Sequence, residues 1–296
     1  MKNSQLKAFL RVAETGSIRA AARALGLSQP AVTKALRELE AELDAPLIAR
    51  SARGAELTEC GRQLAVRARL AEEQLALARQ DIRLLQGGKR AQVAVAITPL
   101  VFLGELPAVV RDFRRTMPYA QLKLLEGLLP MVLTHLREGA IDFAVATAMV
   151  DFLAPDIELD PIGQIEMMVA CRPGHPLAVA TRWSEVVDAE WLVHLAPGSH
   201  HSVLMEHLRR TGQPVPQRTI ETNTFGVSWG MVTRSDALLI LPARVADIEV
   251  YSRQIVRVPI DMALPTLTLG IMKLRAAPLS LAASRLVTLF RRHVQA

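Results

Sequence analysis

The stretch "LGLSQPAVTKALRELEAEL", residues 25–43, joins a helix-start signal to an apolar spacing of four and three. The Ser28 hydroxyl is placed to cap a helix, and Gln29 and Pro30 fall in its first turn, where proline sacrifices no hydrogen bond. Val32, Leu36, Leu39 and Leu43 then line one side. The other side carries Gln29, Thr33 and Arg37, with Lys34 adjoining, a donor-rich row rather than an ordinary mixed-charge surface.

Two short amphipathic helices precede it. Leu6, Phe9, Leu10 and Ala13 recur at i, i+3, i+4, i+7, and Ile18, Ala21, Ala22 and Leu25 repeat the spacing. Gly26 suits the left-handed position that ends the second of them. Helix, glycine turn and a helix with a polar N-terminal half is the arrangement that places a recognition helix in the DNA major groove. Gln pairs bidentately with adenine and Arg with guanine, while Ser28, Pro30, Thr33, Lys34 and the helix N-terminus serve bases or phosphates. A three-helix bundle that binds a protein is the plainer alternative. "PLIARSARGAELT", residues 46–58, reads as a hairpin whose turn presents Arg50 and Arg53 to the neighbouring DNA backbone or minor groove.

The net charge of +6 is not spread evenly. Residues 1–90 hold 16 Lys and Arg against 10 Asp and Glu, and the remaining residues hold 19 of each. A positive field confined to one end suits a polyanion such as double-stranded DNA. From Thr58 to Leu85 there is no proline, and Leu64, Ala68, Ala71, Leu75, Ala78, Ile82 and Leu85 form a heptad seam, read as a dimerisation helix that ends at Gly87-Gly88. The apolar stretches are all shorter than the roughly 20 residues that span a bilayer. A cytoplasmic protein with no membrane contact is expected. Two distant cysteines, Cys60 and Cys171, exclude a disulfide framework.

Beyond the glycines, apolar strands alternate with amphipathic helices: "QVAVAIT", "QLKLLE", "DFAVAT", then "EWLVHL", "RTIET", "DALLILP" and "TLTLGIM". That is α/β wiring with a mostly parallel sheet. The length suits two lobes with a ligand cleft between them.

The run "SIRAAARALGLSQPAVTKALRELEAELDAPLIARSARGAELTECG" resembles the winged helix-turn-helix of the LysR-type transcriptional regulators, in the pattern "LSQPAVT...LE..L..PL..R..RG..LT..G". The likeness extends over essentially the whole chain, departing from the family pattern at Asp44, Ile48 and "TRSDALLILP". It implies an N-terminal all-α winged helix-turn-helix (1–58), a linker and dimerisation helix (59–86), and a bilobed Rossmann-like effector domain (87–296) resembling periplasmic binding proteins. Lobe I is expected at about 91–163 and 267–296, lobe II at about 164–266. The resemblance further implies promoter binding by a dimer usually assembled into a tetramer, contact with RNA polymerase, no cofactor, and a small-molecule effector. Carried over from the family's cleft, the effector residues are Thr98, Pro99, Glu126, Gly127 and Thr147 from one lobe. Ser199, His200, Asn223, Thr224 and Phe225 come from the other. Helix starts at Thr98, Ser199 and Thr224 would favour a small organic anion. A neutral sugar or phenol is the alternative, better suited to Glu126.

Other chemistries are weaker. "GVSWG", residues 226–230, matches G-x-S-x-G, with Ser228 followed by Asp247 or Asp261 and then His293 in the order of an α/β-hydrolase, yet no oxyanion segment accompanies it. His194, His200, His201 and His207 lack the spacing that holds three ligands on one zinc, so no metal is expected. A DNA-binding protein without an effector would not need two hundred residues of α/β fold.

Overall fold

The computed structural model of the chain describes residues 1–51, 54–99, 101, 104–149, 153–195 and 199–294. They form two compact units, Met1–Arg79 with Arg137–Gly139, and Gln80–Leu136 with Ala140–Ala296.

The first unit holds α1 (Asn3–Thr15), α2 (Ile18–Leu25) and α3 (Gln29–Leu43), the hairpin β1 (Ile48–Ser51) and β2 (Gly54–Leu57), and the start of α4 (Glu59–Leu85). The caps are where the residue types call for them. The Ala31 amide donates to the Ser28 hydroxyl at 3.3 Å, and Gly26 closes α2 at φ 65°, beyond the reach of most side chains. Asp44 ends α3 at φ 48°, a left-handed position that glycine would fill with less strain. The Glu40 carboxylate accepts from the amides of Leu47 and Ile48 at 2.8 and 3.1 Å, tying α3 to the hairpin. Phe9, Leu10, Val12, Ala21, Ala22, Val32, Leu36, Leu39 and Leu47 make the core.

The heptad seam is divided. Ala68 is buried in this core and Leu64 packs against it, so the first part of the seam is spent inside the chain itself, contrary to the expectation of one seam from Leu64 to Leu85. Leu75, Ile82 and Leu85 further along stay 49%, 54% and 77% exposed.

The second unit runs β3 (Gln92–Ile97), α5 (Leu106–Thr116), β4 (Gln121–Glu126), α6 (Leu129–Arg137), β5 (Phe143–Ala148), β6 (Ile157–Ile165), β7 (Met167–Cys171), α7 (Trp183–Val186), β8 (Glu190–Val193) and α8 (His200–Arg210). It continues with β9 (Thr219–Glu221), α9 (Phe225–Val232), β10 (Ala237–Pro242), a 3-10 turn (Ala243–Asp247), α10 (Glu249–Ser252), β11 (Val256–Val258), β12 (Leu267–Leu274) and α11 (Leu281–Val294). Two five-stranded sheets result, ordered β4-β3-β5-β12-β6 and β11-β7-β10-β8-β9. In each, three neighbouring strands are parallel, β4, β3 and β5 in one and β10, β8 and β9 in the other. The rest of the pairings are antiparallel, so both sheets are mixed rather than mostly parallel. The chain passes from the first sheet to the second at Glu166, because β6 keeps pairing with β12 as far as Ile165 opposite Leu267, two residues beyond the expected crossing. It returns before Leu267. β5, β7 and β10 are buried along their whole length, as strands with both sheet faces covered are.

Candidate functional site

Two places gather polar groups that the fold does not need. The first is the outer face of α3. Val32, Leu36 and Leu39 are turned into the core, which leaves Gln29, Pro30, Thr33, Lys34, Arg37 and Glu38 around one shallow depression on the surface. The Thr33 hydroxyl donates back to the Gln29 carbonyl at 3.0 Å, a self-bond that leaves its oxygen lone pairs outward. Lys34 is 3.8 Å from Glu38, an exposed i,i+4 pair of little energetic weight that a phosphate would readily displace. Arg50 lies on β1, opposite Ala55 in the hairpin register. Arg53 falls outside the described residues.

The second place is a cleft at the carboxyl ends of the two sets of parallel strands, where open α/β sheets collect ligands. It encloses a cavity of about 90 Å³. Of the expected residues, Thr98, Pro99, Thr147, Ser199, His200 and Phe225 line it. The structure does not bring Glu126, Gly127, Asn223 or Thr224 to the wall. Glu126 is exposed at the end of the edge strand β4, and Gly127 is buried with its α-carbon turned towards Met131. Asn223 and Thr224 are exposed, and the Thr224 hydroxyl is occupied in capping α9 by accepting from the Val227 amide at 3.3 Å. Thr98 and Ser199 thus stand on the wall, and of the third helix start Phe225 does so while Thr224 does not.

The remaining walls are mostly apolar: Leu128 and Leu129 entering α6 and Val245, which the sequence reading did not name, and Leu239 to Pro242 closing β10. Ser228, His194 and His201 also line the cavity. A rule that ligands sit beyond strand carboxyl ends would have pointed to the "LILP" end of β10, although nothing in four apolar residues distinguishes a cleft wall from a core.

The polar groups form one connected set. Thr147 Oγ1 and His200 Nε2 lie 2.8 Å apart and link the two lobes. Ser199 caps α8 by accepting from the Ser202 amide and donates its own hydroxyl proton to the His194 carbonyl. His194 Nδ1 donates to the Thr222 carbonyl at 3.1 Å, and its Nε2 is buried without a partner. Burial, reinforced by neighbouring imidazoles, pushes the His200 pKa down to about 4 and that of His201 down to about 3. Both rings are neutral near pH 7. No Lys, Arg, Asp or Glu is among the described residues that line the cavity. Arg244, in the 3-10 turn, is held across the lobes by Glu105 at 2.8 Å. Among the described residues the wall carries no free cation.

Hydrolase chemistry has no support here. Ser228 donates to the Thr224 carbonyl at 3.1 Å and touches Thr222 Oγ1 at 2.6 Å, while His293 is paired with Asp112 on α5. Among the described residues no three His, Cys, Asp or Glu side chains are grouped to hold a metal, and no helix is long and apolar enough to cross a membrane.

Comparison with known proteins gives the same two-part division. Residues 4–62 match the family described as bacterial regulatory helix-turn-helix protein, lysR family, and residues 86–295 match the LysR substrate binding domain. The chain is 29% identical over 288 residues to the HTH-type transcriptional regulator GalR of Pseudomonas putida, covering 97% of this chain and 72% of that protein. It is 30% identical over 250 residues to a probable hydrogen peroxide-inducible genes activator of Mycobacterium leprae, covering 82% and 78%. Among solved structures, full-length CbnR complexed with its target DNA superimposes with a TM-score of 0.65 at 23% identity, over 99% of this chain and all of that one. A full-length OxyR variant from Pseudomonas aeruginosa gives 0.68 at 22%, over 98% and 95%.

Proposed function

The chain belongs to the lysR family of bacterial helix-turn-helix transcriptional regulators, and on that premise we propose that α3 reads promoter DNA while the cleft holds the effector that controls it. The reading rests on one observation above all: a helix whose inner face is fully committed to the core presents Gln29, Thr33, Lys34 and Arg37 together on its open face. Gln29, Thr33 and Arg37 address base edges; Ser28, Lys34, Arg50 and Arg53 hold phosphates, and Pro30 sets the helix start against the backbone. Two copies joined along the exposed part of α4 present paired recognition helices, and pairs of dimers give a tetramer. Once on its operator in the cytoplasm, the assembly acts on RNA polymerase.

The DNA roles separate by salt and sequence. For the full chain on its preferred duplex, Arg37→Ala is expected to cost about 1–3 kcal/mol and to relax discrimination at one base pair. Lys34→Ala weakens all duplexes alike and lowers the slope of log Kd against log salt by about one. Fluorescence anisotropy titrations across a salt series measure both. Identical losses on preferred and scrambled duplexes for Arg37→Ala would remove it from base reading.

A further inference from the structure

We propose that the cleft takes a small uncharged molecule, an apolar ring bearing one or two hydroxyl groups such as a phenol or a monocyclic alcohol, rather than an organic anion. The inference rests on the reading of this cleft as the effector site and gives it a ligand class.

The walls come first. Leu128 and Leu129 from one lobe face Ile240, Leu241 and Val245 from the other, with Phe225 at the side. That is a small, mostly apolar slot of about 90 Å³.

The polar groups decide the rest, because nearly all of them have already given their protons away. The Thr98 hydroxyl is directed at the Val145 carbonyl at 3.5 Å, and Ser199 donates to the His194 carbonyl. The Thr222 carbonyl takes the Nδ1 proton of His194. His201, only 5% exposed, spends its one proton on the Leu192 carbonyl, and its Nε2 has no partner. What remains on the wall is mainly lone pairs on oxygen and nitrogen, with one proton left on the Thr147–His200 pair, on whichever of the two does not donate in their mutual bond. A hydroxyl-bearing ligand supplies the protons these groups lack, whereas a carboxylate brings only more lone pairs and a negative charge to desolvate.

No positive charge offsets that cost. The chain neighbours of the lining residues that lie outside the described residues are Leu100, Phe102, Leu103, Val150 to Phe152 and Ala196 to Gly198, none of them basic. His200 and His201 are neutral near pH 7, as their burial dictates. Arg244, in the nearby 3-10 turn, is not among the lining residues and is paired with Glu105.

Isothermal titration of the full chain at pH 7.5 with two matched probe series tests the proposal: phenol, benzyl alcohol and cyclohexanol against benzoate and cyclohexanecarboxylate. The hydroxyl series is expected to bind at least tenfold more tightly than its carboxylate counterparts. That binding should fall at least tenfold in Leu129→Trp, which fills the slot, and in Thr147→Val, which removes a hydroxyl without filling it. Tighter binding of the carboxylates, lost in Arg244→Ala, overturns the ligand class and leaves the cleft as the effector site. Alcohol binding indifferent to both cleft variants overturns the site itself. Binding of neither series overturns the proposal for a ligand of this size.

Discussion

At the scale of residues, His200 and His201 show how the second unit makes its cleft. Placed side by side at the start of α8, they lie against the carboxyl ends of strands where burial suppresses their charge, to pKa values of about 4 and about 3. In the unfolded chain each takes up a proton as the pH falls through about 6.5. Between that value and the folded one, the unfolded chain binds more protons, so stability is full above pH 6.5 and declines as the pH drops towards 4 and 3. The loss between pH 7 and pH 5 is about 2 kcal/mol for each imidazole. His201→Asn, which keeps a polar group near the Leu192 carbonyl but cannot take up a proton, should flatten the pH dependence of urea unfolding by that amount. A variant curve parallel to the wild type would place the charge cost elsewhere. Neither tautomer nor charge state was legible in the string "GSHHS", because the groups that fix them, the Leu192 carbonyl and the Thr147 hydroxyl, arrive from other strands. On α3 the opposite holds. Ser28, Gly26 and the four-and-three apolar spacing act within a few residues of one another, so the outer face of Gln29, Thr33, Lys34 and Arg37 is legible in the amino-acid string alone.

At the scale of elements, α4 is divided along its length. Its first turns close the core of the first unit with Ala65 and Ala68, and its later turns expose Leu75, Ile82 and Leu85, with Ala71 and Ala78 between them. Large apolar side chains alternating with alanines along one stripe allow close approach of a second helix, and in a twofold pair every contact counts twice. Leu75→Asp combined with Ile82→Asp is expected to convert the oligomer to monomers in analytical ultracentrifugation while circular dichroism of the chain is preserved. An unchanged sedimentation coefficient would remove α4 from the interface. The heptad pattern itself could not show where intramolecular packing ends and the free stripe begins, since alanine serves both. β6 and β7 were missing from the sequence reading for a different reason. Asp160, Pro161 and Gly163 interrupt β6, and its pairing with β12 absorbs them through an irregularity between Leu269 and Gly270. β7, "MMVAC", is five buried residues with no alternation to announce a strand.

At the scale of the whole molecule, composition already separated a basic end from a neutral one, and the fold assigns them to different work. The excess charge lies with the helix-turn-helix and α4, and the charge-neutral α/β unit holds the cleft. Two contacts cross between the lobes of the second unit, Thr147 with His200 and Glu105 with Arg244. A ligand that favours one lobe arrangement shifts the population by as much as its affinities differ. The central claim, that this family member recognises specific duplex DNA through the outer face of α3 as a paired assembly, is tested most directly by selection from a random duplex pool. Full-length wild type and a Gln29→Ala, Arg37→Ala variant would each be carried through the same rounds and the enriched pools sequenced. The wild type is expected to enrich two related half-sites, and the variant to keep its bulk DNA affinity within a few fold but lose enrichment at particular positions within each half-site. A wild-type pool with no motif, or an unaltered motif from the variant, would contradict the claim.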